Sequence, residues 1–240
     1  MSSRHASGCA AVLLLAAAPA TAGISADATR IIFQASEVAR GESIGLTSSA
    51  TSLSPYLVKT QVTRDVQGQA VQVPFVTTPS LFRLEPGTTN QVRIMKTPGD
   101  LPHDRESLFY FRAVAMPAGL ADSASPSPAV TGALQVATAT VIKLFYRPVG
   151  LAIPQAQAMG QLQFAASKQG LKVTNPTPYY ITLNSLRVNS TPVRLRVEDY
   201  SSMIAPYSSA WYRGAPQQGT VAWTTINDYG GTEVFHGTVQ

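Results

Sequence analysis

Few residues in this chain have the types and spacing that chemistry requires. The stretch GESIG, residues 41–45, has the G-x-S-x-G spacing that presents a nucleophilic serine, here Ser43, on a sharp strand-to-helix turn. Ser43 instead opens an alternating, strand-like run, so hydrolysis is not expected of it. The histidines are His5, His103 and His236, without metal-like spacing and with Cys9 as the sole cysteine of the chain. The glycines are dispersed through turns and form no phosphate-cradling loop. NST at 189–191 fits a glycosylation acceptor, a three-residue match that carries little weight. No catalytic residue, metal or cofactor is expected, and the chain reads as a non-enzyme.

The charged residues are more informative. Glu106, in DRESLFYF, abuts a strongly apolar run and wants a cation; Arg147 in FYRP is the candidate partner, with Asp228 in NDYGG as a third member. Lys143 stands near the end of the long alternating stretch GALQVATATVIKLFYRPVG, residues 132–150, where a lone ammonium needs a reason. In VRLRV, 193–197, alternation places Arg194 and Arg196 together on one solvated face. The whole chain carries 18 Lys and Arg against 13 Asp and Glu, a formal charge of +5, scattered singly. That distribution lacks the basic patch and interleaved aromatics of a nucleic-acid binder and implies no nucleic-acid partner.

Those residues have to be positioned by an exported, cysteine-free protein. Arg4 and His5, the apolar run 10–18 and Ala20-Thr21-Ala22 form a secretory signal, 1–22, which removes Cys9 with it. Nine apolar residues are too few to cross a hydrocarbon core, which takes about 20, so membrane insertion is not expected. The remaining chain has no disulfide to brace it and depends on apolar burial.

Beyond the signal, short runs rich in Val, Ile, Thr, Tyr and Phe recur every ten residues or so, the pattern of an all-β sandwich. Seven candidate strands, 29–33, 43–47, 56–63, 71–76, 90–95, 108–115 and 134–146, make an immunoglobulin-like set. A second set follows at 162–165, 171–173, 179–188, 193–197, 203–204, 209–212, 220–227 and 232–235. Pro148, Gly150 and Pro154 mark the boundary. Domains are therefore expected at 23–147 and 148–240, with one long connection, 116–132, rich in Pro, Ser, Ala and Gly.

Seven segments in this order resemble the periplasmic pilus assembly chaperones of the chaperone-usher pathway: TRIIF (29–33), PYLV (55–58), PFVTTPSLFRLEPG (74–87), LPHDRESLFYFRAVAMP (101–117), IKLFYRP (142–148), NPTPYYITL (175–183) and INDYGG (226–231). The resemblance implies two immunoglobulin-like β-sandwich domains in a boomerang arrangement, located in the periplasm. Its implied partners are pilus subunits, which it folds and caps by lending a strand, and the outer-membrane usher that receives them. Self-association is a further mode when no subunit is bound. Carried over residue by residue, Arg30 and Lys143 match the anchor for the subunit's C-terminal carboxylate. Leu134, Val136 and Thr138 match the groove-filling positions of the lent strand, and Glu106, Arg147 and Asp228 match the interdomain salt bridges. The long connection lacks the cysteine pair of the long-loop branch, which implies the short-loop branch. The competing reading is an exported two-domain adhesion or scaffolding protein of the same fold. Lys143 has the opposite parity to Leu134 and Val136, so a bulge or twist is expected between the two sites.

Overall fold

Alternating burial along the strands divides the chain into two separate apolar cores. The computed structural model describes residues 23–69, 71–118, 137–196 and 202–240. The first sandwich is built from β1 (Ile24–Ala26), β2 (Arg30–Gln34), β3 (Glu42–Ser48), β4 (Tyr56–Thr63), β5 (Phe75–Thr78), β6 (Leu81–Leu84), β7 (Thr89–Lys96), β8 (Ser107–Pro117) and β9 (Thr138–Arg147). One of its sheets has the order β1-β3-β7-β5 and the other β2-β9-β8-β4-β6. The second sandwich packs β10 (Gln163–Ser167), β11 (Gly170–Asn175) and β15 (Ser208–Tyr212) against a sheet of β12 (Ile181–Val188), β13 (Thr191–Pro192), β14 (Met203–Ile204), β16 (Thr220–Ile226) and β17 (Thr232–Thr238). The chain is thus two immunoglobulin-like β-sandwiches, as the patterning implies.

Each core is filled from the inward faces of both of its sheets. In the first, Phe33, Ile44, Leu46, Ile94, Phe109, Phe111 and Leu144 are fully buried, and Phe75 meets Phe33 and Phe109 edge to face at 5.3 and 5.0 Å. In the second, Trp223 packs between Phe164 and Phe235, and its indole N–H donates to Met159 O at 3.0 Å. A buried indole needs such an acceptor, because an unpaired buried donor costs about 1–3 kcal/mol.

The expected strands are present with four departures among the described residues. The run 71–76 contributes only Phe75 and Val76 to a strand: Val71 is exposed, and pairing with β7 starts at Phe75. After β5 the chain passes Pro79 and changes sheets, so Leu81–Leu84, not foreseen as a strand, pairs with β4 in the opposite layer. Ile24–Ala26 is likewise an added strand, pairing with β3. Within 193–196 no ladder continues beyond Pro192, yet the burial alternation holds: Val193 is buried, Leu195 packs on the core, and Arg194 and Arg196 are exposed.

Ser43 lies inside β3 opposite Arg93, so the strand-to-helix turn that an elbow serine needs is absent there. His103 and His236 are both exposed.

The packing of the second core generates a direct test. Leu171→Ala, at a fully buried position, is expected to cost about 2–5 kcal/mol. Urea unfolding followed by the fluorescence of Trp211 and Trp223, both in that sandwich, reads the loss. An unchanged midpoint would contradict the core assignment.

Candidate functional site

β9 presents a different chemistry on each face. Ile142, Leu144 and Tyr146 enter the first core, while Val141, Lys143, Phe145 and Arg147 alternate onto the opposite face, as a period of two requires. Phe145 and Arg147 meet the second sandwich: the Phe145 ring lies 5.7 Å from that of Tyr180, and Arg147 bonds Asp228. The outward face of β9 therefore forms one wall of a cleft between the sandwiches.

Two cations stand side by side on that wall. β2 runs parallel to β9, with Arg30 directly opposite Lys143, and Lys143 is also the partner of Tyr110 on β8. Like charges placed laterally on a sheet repel, and burial removes the water that would screen them. Burial, and then the Arg30 charge, push the Lys143 ammonium below its ordinary value. Arg30 is lowered mainly by burial, an effect that Asp228 and Glu106 oppose and Arg147 reinforces.

The hydrogen bonding of the pair is incomplete. Arg30 Nη1 donates to Ile226 O at 3.0 Å and its guanidinium lies 5.9 Å from the Phe145 ring centroid, but Nε is buried without an acceptor among the described residues. Among the described residues no carboxylate forms a salt bridge with Lys143. Two partly desolvated cations side by side have the charge to attract an anion, and two adjacent donor groups suit the two oxygens of a carboxylate.

The structure brings Glu106, Arg147 and Asp228 together beside this pair. Arg147 Nε donates to Glu106 Oε1 at 2.8 Å, and its Nη1 and Nη2 donate to the two oxygens of Asp228 at 2.6 and 2.8 Å. Glu106 Oε2 accepts from the Tyr180 N–H at 2.9 Å, and the Glu106 N–H donates to Pro178 O at 2.9 Å. Burial is the largest influence on Arg147 and lowers it, but the Asp228 hydrogen bonds and the Glu106 and Asp228 charges outweigh it and hold the guanidinium above its ordinary value. Burial raises the Glu106 carboxyl, opposed by the Arg147 charge and the Tyr180 N–H. Glu106 and Arg147 come from the first sandwich, and Asp228, Tyr180 and Pro178 from the second, so the network crosses the cleft.

Leu134 and Val136 lie outside the described residues, as do most of the long connection and the signal segment. Thr138 is exposed and opens β9 opposite Ala115. The β8–β9 register runs unbroken from Ser107↔Tyr146 to Ala115↔Thr138, so no bulge lies between Thr138 and Lys143, while the rest of the span in which a bulge or twist is expected, back to Leu134 and Val136, lies outside the described residues. Thr138 and Lys143 simply occupy opposite faces of one ribbon. From Lys143 onward β9 is flanked by β2, whereas the described residues before it pair only with β8. β1 instead belongs to the other sheet, touching β9 through Thr140 Oγ1, 3.5 Å from Ile24 O.

Sequence reasoning did not single out Tyr110, Tyr180 or the Ile226 carbonyl. Tyr110 was legible in principle, since it alternates with Phe109 and Phe111, which both enter the core. The other two belong to the second sandwich and reach the site only through tertiary packing.

Comparison with known proteins gives the same assignment throughout the chain. Residues 23–152 match the family model described as pili and flagellar-assembly chaperone, PapD N-terminal domain, and residues 157–236 match pili assembly chaperone PapD, C-terminal domain. The chain is 34% identical to chaperone protein PapD of Escherichia coli over 229 residues, 94% of this chain and 90% of that protein. It is 35% identical to the uncharacterized fimbrial chaperone YcbF of E. coli strain K12 over 232 residues, 92% and 90% of the two. Among solved structures it resembles the E. coli chaperone DraB, with a TM-score of 0.77, 30% identity and coverage of 91% of this chain and 97% of that one. It also resembles a chain from the complex of Salmonella enterica SafA pilin with the SafB chaperone, with a TM-score of 0.73, 28% identity and coverage of 92% and 98%. With both family models matched in order and relatives aligned nearly end to end, the chain belongs to the PapD-like family of pili assembly chaperones.

Proposed function

We propose that Arg30 and Lys143 hold the C-terminal carboxylate of a pilus subunit while the segment containing Leu134, Val136 and Thr138 lends a strand to that subunit's incomplete fold. The capped subunit then passes to an outer-membrane usher. Export by the signal 1–22 to the periplasm belongs to this reading, as does a division into domains at 23–147 and 148–240.

The observation that carries it is the position of the two cations where β2 begins on the edge of β9. A guest strand added to the open edge before Lys143 ends head-on against β2. If it runs parallel to β9, its carboxyl end arrives at Arg30 and Lys143; if antiparallel, a cationic amino end or an uncharged chain would meet them. The charges therefore select strand direction. They also select register, because a slip of one residue turns every guest side chain to the wrong face.

Magnitudes divide the labour. Burying aliphatic side chains such as Leu134 and Val136 contributes about 1.5–3 kcal/mol each, and each net backbone hydrogen bond about 1 kcal/mol. A charge-assisted bond contributes about 1.5–3 kcal/mol, enough to decide between otherwise similar alignments. An adhesion or scaffolding protein of the same fold has no use for two laterally adjacent, partly desolvated cations, and the pair disfavours that alternative.

Lys143→Ala is expected to leave a folded protein that fails to retain pilus subunits. The check is co-purification of tagged chain with subunits from periplasm, with the intact mass of the exported chain reporting whether it begins at Gly23. Undiminished subunit recovery by the variant would sink the anchor.

The lowered Lys143 value adds a pH signature. A bound carboxylate favours the ammonium, so binding raises the value that burial and Arg30 had lowered. Affinity is then full below the free-state value and falls as pH rises through it, beginning below the ordinary lysine value of 10.5. Calorimetric titration of the subunit's C-terminal peptide across alkaline pH should show this decline for the native chain and not for Lys143→Arg. A flat profile for both contradicts the role.

For the trio we propose that it fixes the angle between the sandwiches. Glu106→Ala leaves Arg147 with Asp228 alone and removes the acceptor of the Tyr180 N–H; breaking such a buried pair costs about 3–5 kcal/mol. Small-angle scattering is expected to show a broadened envelope while both sandwiches keep their circular dichroism. An unchanged envelope would count against the bracing role.

A further inference from the structure

At the mouth of the cleft a turn from the second sandwich, residues 227–231, holds Tyr229 with 98% of its surface exposed. The turn is stiffened from within. Asn227 Oδ1 accepts from the N–H groups of Tyr229 and Gly231 at 3.1 and 2.9 Å, and its Nδ2 donates to Glu233 Oε1 at 3.1 Å. The Asn227 N–H donates to Gly231 O at 2.8 Å, and the Gly230 N–H to Asn227 O at 3.1 Å.

The residue before Tyr229 ties the turn to the first sandwich, and the residue after it lies close to that sandwich. Asp228 is held by both terminal nitrogens of Arg147. Gly230 has a φ of +81°, and a methyl group added there would lie 3.1 Å from the hydroxyl of Thr29, the residue that precedes Arg30. Ile226, just before the turn, accepts the Arg30 hydrogen bond. A hydrogen-bonded turn thus carries a solvent-exposed aromatic ring on a segment whose neighbours Ile226, Asp228 and Gly230 lie close to Arg30, Arg147 and Thr29.

An aromatic ring adds nothing to the fold in that position, but it suits a partner. Rigid tyrosines supply large contact area at small entropic cost, and they concentrate binding energy where they exclude water around a central contact. A guest chain whose carboxylate reaches Arg30 ends beside Thr29, and Gly230 of the Tyr229 turn lies so near Thr29 that a Cβ there would sit 3.1 Å from its hydroxyl.

We infer that Tyr229 closes over the carboxyl-terminal residue of the bound pilus subunit and shields the contact between its carboxylate and Arg30 from water. This rests on the reading of Arg30 and Lys143 as the carboxylate anchor. The ring, rather than the hydroxyl, is the working part, since the function is exclusion of water. Shielding strengthens the ion pair and reduces its screening by salt.

The probe is the synthetic C-terminal strand peptide of the subunit that co-purifies with the native chain, titrated as the free acid into full-length native, Tyr229→Ala, Tyr229→Phe and Lys143→Ala proteins at several salt concentrations. Tyr229→Ala is expected to bind about tenfold more weakly, with a steeper loss of affinity on adding salt, and Tyr229→Phe to match the native chain. If Lys143→Ala loses binding while Tyr229→Ala matches native in affinity and salt slope, the lid is overturned and the anchor stands. If Tyr229→Phe loses as much as Tyr229→Ala, the shielding ring is overturned in favour of a hydroxyl contact. If neither Lys143→Ala nor Tyr229→Ala weakens binding, the anchor reading falls together with the lid.

Discussion

When the chain leaves the four-stranded sheet at Ala26 and enters the opposite sheet at Arg30, it pairs in parallel with β9, and much of the site depends on that pairing. The crossing places Arg30 directly opposite Lys143. It also ends the cover on the edge of β9 at the same point, since β1 pairs with β3 and the described residues of β9 before Lys143 pair only with β8. An open strand edge is ordinarily an aggregation hazard. Here the open edge and the two cations lie at one position, which is the geometry on which the proposed anchor rests.

The cation pair carries an electrostatic cost. Two cations forced together and partly stripped of water repel each other, and the buried Arg30 Nε has no acceptor among the described residues. Nearby, Arg147 is satisfied by Glu106 and Asp228, and the contrast is instructive: three cations share one cleft, yet the two carboxylates converge on one of them. Buried ion pairs are weak evidence for net stability, because desolvation offsets the attraction. Their directional hydrogen bonds nevertheless restrict how the surfaces meet, and the contacts from Arg147 to Asp228 and from Glu106 to the Tyr180 N–H cross between the sandwiches.

Much of this was legible before any coordinates. Strand periodicity located both sandwiches because each has a dry face and a wet face. A carboxylate beside an apolar strand needs a cation, which made Arg147 and Asp228 candidates for Glu106, and it was the resemblance to the pilus chaperones that selected this trio. What failed were features that pairing decides. Leu81–Leu84 and Ile24–Ala26 are short runs that become strands only because β4 and β3 offer them edges. The contributions of Tyr110, Tyr180 and the Ile226 carbonyl depend on neighbours from other strands or the other sandwich, which no local pattern encodes.

The sequence by itself determined the all-β class, the two cores, the scarcity of catalytic groups and which residues carry charge into apolar surroundings, because each of these follows from local periodicity and composition. Only the tertiary structure decided that Arg30 stands directly opposite Lys143 in a parallel ladder, that the Ile226 carbonyl accepts from Arg30, and that the turn bearing Tyr229 lies close to Thr29. These juxtapositions join residues up to about 200 positions apart in the chain, and they arise from sheet crossing and sandwich docking, where burial and pairing act across distances that a single strand cannot report.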